Sequence, residues 1–229
     1  MEEKEVEIVE TLENENQENT SKKNRKKKFL SIFINVILIS SIVLLLARIS
    51  MLIFFTNIYV TGPSMYPTLT QKDSGYTRKI ISHKSIDRFD IIVIDASRFA
   101  STDSHWVKRV IALPGETISY ELDEINKKGI LKINGKIIEE KFIKGYGEYS
   151  KNNITYATGE IPERTLGKDE YFVMGDNRGH STDSRSSLVG HIKEKEIFGV
   201  GIIITGRCGS IENNTCTNIK HTGIKIVGW

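Results

Sequence analysis

The chain is short of cysteine, of net charge and of any internal repeat, and each shortage narrows what it can be. Neither of its two cysteines, Cys208 and Cys216, has the His, Cys or Asp company that a zinc site needs, so no metal is assigned. A net charge of +3 is the sum of oppositely charged stretches and gives no reason to expect a nucleic-acid partner. The EF-hand spacing, with a glutamate at the twelfth position, is missing from the one acidic loop that could suggest it. No long amphipathic helix follows residue 60. A composition of 39% hydrophobic and 27% charged residues then suits one membrane anchor plus one globular domain of modest size.

What is present is ordered along the chain. Residues 1–20 carry eight glutamates against a single lysine and almost nothing apolar, a composition that predicts disorder. Six basic residues lie between Lys22 and Lys28, directly before an uncharged run from Phe29 to Ala47. At ~1.5 Å rise per residue those 19 positions reach about 28 Å, close to the ~30 Å hydrocarbon thickness of a bilayer. A cleavable signal peptide also puts basic residues ahead of an apolar stretch, but its apolar region is typically ~7–15 residues and ends in a small-residue cleavage site. Here apolar character resumes after Arg48 with no such site. A buried core helix fits poorly with the basic residues at its start. The expected organisation is a cytoplasmic tail over 1–28, acidic then basic, a transmembrane anchor over 29–57 and an extracytoplasmic domain over 58–229, oriented by the positive-inside rule. In that compartment a Cys208–Cys216 disulfide is chemically permitted; two free thiols are equally so.

The exported part reads as mainly β. In ILKINGKIIEE, residues 130–140, Asn134-Gly135 sits between alternating apolar positions and tolerates the positive φ of a type I′ turn, which predicts a hairpin. Further strands are expected at Asp90–Ile94, Trp106–Leu113, Tyr171–Met174 and Phe198–Ile204. Short strands separated by Gly, Pro and Asn turns argue an antiparallel, barrel-like sheet domain. Residues 141–169 are polar and poorly periodic, as in a surface insertion.

Three segments concentrate chemistry. In Gly62-Pro63-Ser64-Met65-Tyr66-Pro67, a serine between two prolines is held on a stiff, irregular backbone with its hydroxyl free, although the same pattern occurs in ordinary loops. In WVKRVIALPGE, Lys108 and Arg109 interrupt an apolar strand. Adjacent strand residues face opposite sides, so one of the two should turn inward unless this is a solvated edge. The third segment, Gly175 to Arg185, carries Asp176, Arg178, Asp183 and Arg185, which could cross-link a loop or merely decorate a solvated turn.

Taken in this order and after an anchor, the segments SMYPTL, FDIIVI, KRVIALPGE and GDNRGHSTDSR resemble the boxes of type I signal peptidases, over the anchor and most of residues 57–204. The resemblance implies Ser64 as nucleophile, Lys108 as general base and Ser181 as a hydrogen-bonding partner that orients the lysine. Arg109, Asp176, Arg178, Asp183 and Arg185 are implied as a charged scaffold. It implies no cofactor, and as partners exported preproteins with signal peptides, the lipid bilayer and the secretion translocon. Some members place a serine two residues before the nucleophile to help bind the oxyanion. Here that position is Gly62, which leaves the Ser64 N–H to carry more of that task. Residues 141–169 and the tail after Arg207 match poorly, while the compact size resembles the Gram-positive branch.

Residue chemistry agrees with this reading. Lysine can serve as a base only if burial disfavours its charged form, and the apolar flanks of Lys108 supply burial. The competing base is a histidine. Of His83, His105, His180, His191 and His221, the candidates for a Ser-His-Asp arrangement are His105 and His180, and neither sits in a recognisable triad motif. Two other classes stand beside the peptidase. A non-catalytic, signal-peptidase-like assembly factor for surface structures should lack Ser64 or Lys108, and a self-cleaving Ser-Lys repressor needs a DNA-reading helical domain in place of residues 1–58.

Overall fold

A computed structural model describes residues 2–79, 86–100, 104–123, 128–143, 160–212 and 215–228. His83 and most of the expected insertion at 141–169 lie outside the described residues. The chain divides into two compact units, Met1–Ile53 and Phe54–Trp229.

The first unit is one helix, α1 (Glu2–Phe54). Its backbone is helical through the glutamate-rich stretch for which composition led us to expect disorder. Glutamate has a high helix propensity, and acidic residues near a helix N-terminus oppose the macrodipole favourably. Residues Arg25–Phe54 are long and apolar enough to cross a membrane, and their large apolar side chains are exposed. The anchor expected over 29–57 needs one correction. Phe55–Tyr59 is strand β1, with Phe55, Thr56 and Asn57 paired antiparallel to Arg78, Thr77 and Tyr76, so the helix stops at Phe54.

The second unit is mainly β. Its larger sheet contains β1, β2 (Asp73–Lys79), β3 (Ile91–Asp95), β4 (His105–Ala112), β9 (Glu170–Met174), β10 (Ile192–Lys193), β11 (Ile197–Arg207) and β14 (Lys220–Val227). The strand order is β1-β2-β11-β3-β4-β9-β10, with β14 joined to β11. A second sheet holds β5 (Thr117–Asp123), β6 (Lys128–Ile133), β7 (Lys136–Ile137) and β8 (Ile161–Thr165), in the order β7-β6-β5-β8. The Asn134-Gly135 hairpin joins β6 to β7, and both turn residues have positive φ, 51° and 75°. The four other expected strands occur as β3, β4, β9 and β11. Strand β2 has the sequence DSGYTRK, poor in β-formers, and exists because its partners supply the ladder. A Cβ at Gly75 would lie 1.9 Å from the Ile203 carbonyl oxygen, so only glycine lets β2 approach β11 this closely.

Beyond Arg207, β12 (Ser210–Glu212) and β13 (Thr215–Thr217) form a hairpin closed by a Cys208–Cys216 disulfide, with a Cα–Cα distance of 5.5 Å. The open question of the thiols is thus answered in favour of pairing.

The larger sheet is covered on both faces around β4. Val110 and Trp106, on the Lys108 face, join a cluster with Ile92, Ile94 and Val173. On the Arg109 face, Ile111 packs with Phe172 and Met174, and Val107 packs with Ile91, Met65 and Leu69. The expectation that one of Lys108 and Arg109 turns inward therefore understates the result. Both are buried, at 3% and 6% exposure, because neither face of β4 is solvated at that point.

Candidate active site

Ser64 sits in the loop that follows β1, and the loop is pinned from below by its own apolar residues. Met65 and Leu69 are buried in the cluster that contains Ile91 and Ile202. Short backbone bonds, Tyr66 N–H to Pro63 O at 3.0 Å and Leu69 N–H to Met65 O at 2.9 Å, tighten the turn, and the Tyr66–Pro67 peptide is cis. The strand β4 brings Lys108 from the sheet, and its Nζ lies 3.0 Å from Ser64 Oγ. Forty-four residues separate the pair in sequence, so only the fold could join them.

Burial pushes the Lys108 amine down from its ordinary value to about 8. The Asp183 carboxylate opposes that shift, the Arg185 guanidinium adds to it, and Asp176 opposes it. The Trp106 ring, 5.4 Å from Nζ, contributes an apolar wall on the same strand face. A buried lysine with its charge disfavoured, at hydrogen-bond distance from a serine hydroxyl, can accept that hydroxyl's proton.

The Gly175–Arg185 segment follows β9, which pairs with β4, so it is delivered beside the lysine. Its charges are buried and paired. Asp176 accepts from Arg109 Nε at 2.8 Å and Nη2 at 2.6 Å, and from Thr68 Oγ1 at 2.5 Å. Arg109 also donates to the Phe89 carbonyl and lies over the Phe142 ring at 4.1 Å. Asp183 accepts from Gly175 N–H at 3.0 Å and from Arg185 Nε and Nη2 at 2.9 and 3.0 Å. Burial works against the Asp183 carboxylate, but the Arg185 charge and these donors outweigh it and hold its pKa below the usual range. Arg178 donates from Nε to the Gly175 carbonyl and from its terminal nitrogens to both oxygens of Glu140. The structure thus brings Arg109, Asp176, Arg178, Asp183 and Arg185 together around this loop.

Ser181 is the exception. Its Oγ is buried without a hydrogen-bond partner among the described residues, so the expected bond to Lys108 is not made there; the lysine is turned to Ser64 instead. Gly175 lies between the two serines. A Cβ there would meet Ser181 Oγ at 2.3 Å and the Ser64 carbonyl oxygen at 2.4 Å. Gly175→Ala must therefore displace the Ser64 backbone, and a shift near 1 Å at a reacting group costs about 100-fold in rate. We expect the rate of any reaction at the Ser64 hydroxyl to fall by roughly that factor under single-turnover conditions, with an unchanged rate as the result that would count against the geometry.

Sequence reasoning missed Glu140, Thr68 and Asn177. Thr68 and Asn177 stood inside quoted motifs without a role. Glu140 carried no signal at all, since its pairing with Arg178 depends on how two sheets meet. Around Ser64 opens a cleft of about 270 Å³ lined by Tyr59, Gly62, Trp106, Lys108, His180 and Thr182. A Cβ added at Gly62 meets nothing within 4 Å. His105 also lines the cleft, with its ring 4.7 Å from that of Phe198, yet the partner of Ser64 Oγ is Lys108 and not a histidine.

The family model described as signal peptidase, peptidase S26, matches residues 33–205. Signal peptidase I P of Bacillus subtilis subsp. natto is 35% identical over 180 residues, covering 78% of this chain and 90% of the relative. Signal peptidase I S of Bacillus subtilis (strain 168) is 33% identical over 176 residues, covering 76% and 88%. A crystal structure of a signal peptidase I from Enterococcus faecalis is 31% identical with a TM-score of 0.37, covering 52% of this chain and 98% of that one. With a match to the family model over well over half its length and relatives of this identity and coverage, the chain belongs to the S26 signal peptidase family.

Proposed function

We propose that this chain is a membrane-bound serine endopeptidase that removes N-terminal signal peptides from exported preproteins, cutting after small residues. The observation that carries the reading is the 3.0 Å approach of a buried, pKa-lowered lysine amine to a serine hydroxyl in an open cleft. Neutral Lys108 takes the Ser64 proton as Oγ attacks the carbonyl carbon at the end of the signal peptide. The Ser64 N–H has no acceptor among the described residues and is the available backbone donor to the developing oxyanion. The protonated lysine then gives its proton to the leaving amine, the mature N-terminus departs, and a water activated by Lys108 hydrolyses the acyl-enzyme. Arg109, Asp176, Arg178, Asp183 and Arg185 hold the frame rather than touch substrate.

Residues Arg25–Phe54 anchor the enzyme in a single pass, with the basic N-terminal side in the cytoplasm and the β unit outside. A bilayer-bound preprotein then meets the enzyme by diffusion in two dimensions, at the secretion translocon or beside it. The test is Ser64→Ala in the detergent-solubilised full chain, incubated with a preprotein bearing an Ala-x-Ala site. Cleavage should fall at least ~1,000-fold with an unchanged melting temperature, since the loop is held by Met65 and Leu69 and not by the hydroxyl. Residual cleavage above a few per cent would place the nucleophile elsewhere. An intact wild-type preprotein would favour the non-catalytic reading.

A further inference from the structure

We propose that Asn177 is a positioning residue that sets the orientation of the Ser64 nucleophile and of its oxyanion-binding N–H. Its backbone N–H donates to the Ser64 carbonyl at 3.0 Å, and its side-chain Nδ2 donates to the Pro63 carbonyl at 3.2 Å. These are the two peptide planes on either side of Ser64. A trans peptide is planar, so the direction of the Pro63 carbonyl dictates the opposite direction of the Ser64 N–H. One residue thereby governs both the φ side and the ψ side of the serine.

Asn177 is well placed to transmit rigidity. It is buried, at 6% exposure, and its neighbours in sequence are both ion-paired, Asp176 with Arg109 and Arg178 with Glu140. Its own carbonyl accepts from His180 N–H at 3.0 Å. The charged frame thus fixes a carboxamide, and the carboxamide fixes the nucleophile loop. Pro63 O also accepts from Tyr66 N–H, so losing the carboxamide loosens the plane without unfolding the turn.

The inference rests on the peptidase reading above, and its experiment keeps the two separable. Asn177→Ala retains the backbone bond to Ser64 and removes only the bond to Pro63. On the Ala-x-Ala preprotein we expect kcat to fall ~10–100-fold, the scale of losing part of an oxyanion contact or a sub-ångström placement. KM should stay within about twofold, and the acid limb of the pH profile should stay where wild type has it, because Lys108 is untouched. A purely structural role would lower the melting temperature and leave kcat per folded molecule unchanged. Asn177→Ser, whose hydroxyl is too short to span to Pro63, guards against misfolding of the alanine variant and should show the same kcat loss. A kcat within twofold of wild type in both variants overturns the proposal, as does a rise in KM at unchanged kcat or a loss that only tracks the unfolded fraction. Ser64→Ala run in parallel reports on the peptidase reading itself: activity there sinks that reading, whatever Asn177 does.

Discussion

Lys108→Arg is expected to lower kcat/KM on the same preprotein at least ~1,000-fold near neutral pH although it keeps the positive charge. A guanidinium with a pKa above ~12 cannot accept the Ser64 proton, whereas the lysine amine can once it is neutral. With burial pushing Lys108 to about 8, the wild-type kcat/KM should climb tenfold per pH unit on the acid side and level off above pH 8. At pH 7 roughly one molecule in ten then carries the neutral base. The stability linkage runs in the opposite sense to activity. The folded pKa lies below the unfolded value, so the unfolded chain binds the extra proton, and stability rises with pH between about 8 and 10.5. Below that window the buried amine is a constant burden of order 3 kcal/mol. Lys108→Met should accordingly be inactive yet more stable at pH 7, by roughly 1–3 kcal/mol in urea unfolding of the full chain in detergent. An active arginine variant or a flat profile from pH 5 to 9 would each remove lysine from the mechanism and send the search to His105 and His180 in the same cleft, whereas a destabilised methionine variant would contradict the burden assigned to the buried amine.

The second large effect is predicted for Asp183→Asn. Asp183 is fully buried and compensates the charge of Arg185, itself buried at 6% exposure, so neutralising the carboxylate removes the buried anion that balances that cation. Breaking a buried pair from one side costs about 3–5 kcal/mol. The same carboxylate raises the Lys108 pKa, and its removal should move the acid limb of the surviving activity to lower pH, below about 8. Stability and pH profile therefore change together, which a simple loss of packing would not produce. In the wild type, the depressed Asp183 pKa means its contribution is present above the ordinary carboxylate range and is lost as pH falls through the folded value, so acid unfolding should include this group. An asparagine variant as stable as wild type, or one whose acid limb stays at pH 8, would contradict the role assigned to the pair.

Much of the site was legible because its chemistry is concentrated in short stretches. A serine between Pro63 and Pro67, a Lys-Arg pair in an apolar strand and a loop alternating acids with arginines are unusual enough to be noticed residue by residue. The partners missed are those whose role depends on distance in sequence. Thr68 meets Asp176 across 108 residues, Arg178 meets Glu140 across 38, and Asn177 meets Pro63 across 114. No local pattern encodes such a contact. Ser181 shows the converse, a residue given a partner by resemblance whose hydroxyl is buried with none among the described residues.

The same division holds for the fold. Local physics suffices where a segment is specified by its own residues. The apolar run after Lys28 is long enough for a bilayer, Asn134-Gly135 can adopt the φ a tight hairpin requires, and β3, β4, β9 and β11 are apolar enough to be strands wherever they are buried. Tertiary structure decided the rest. Strand β2, with Asp, Ser and Gly at its start, exists only because β1 and β11 offer hydrogen-bond ladders on both sides. Phe55–Asn57 reads as a continuation of an apolar helix and becomes strand because β2 lies beside it. Lys108 and Arg109 alternate across a strand by local geometry, but whether either meets water depends on what covers each face. Here both faces are covered, one by the Val110 cluster and the other by those of Ile111 and Val107. The lysine pKa follows from that burial, because the cost of a charge is set by its surroundings and not by its neighbours in sequence.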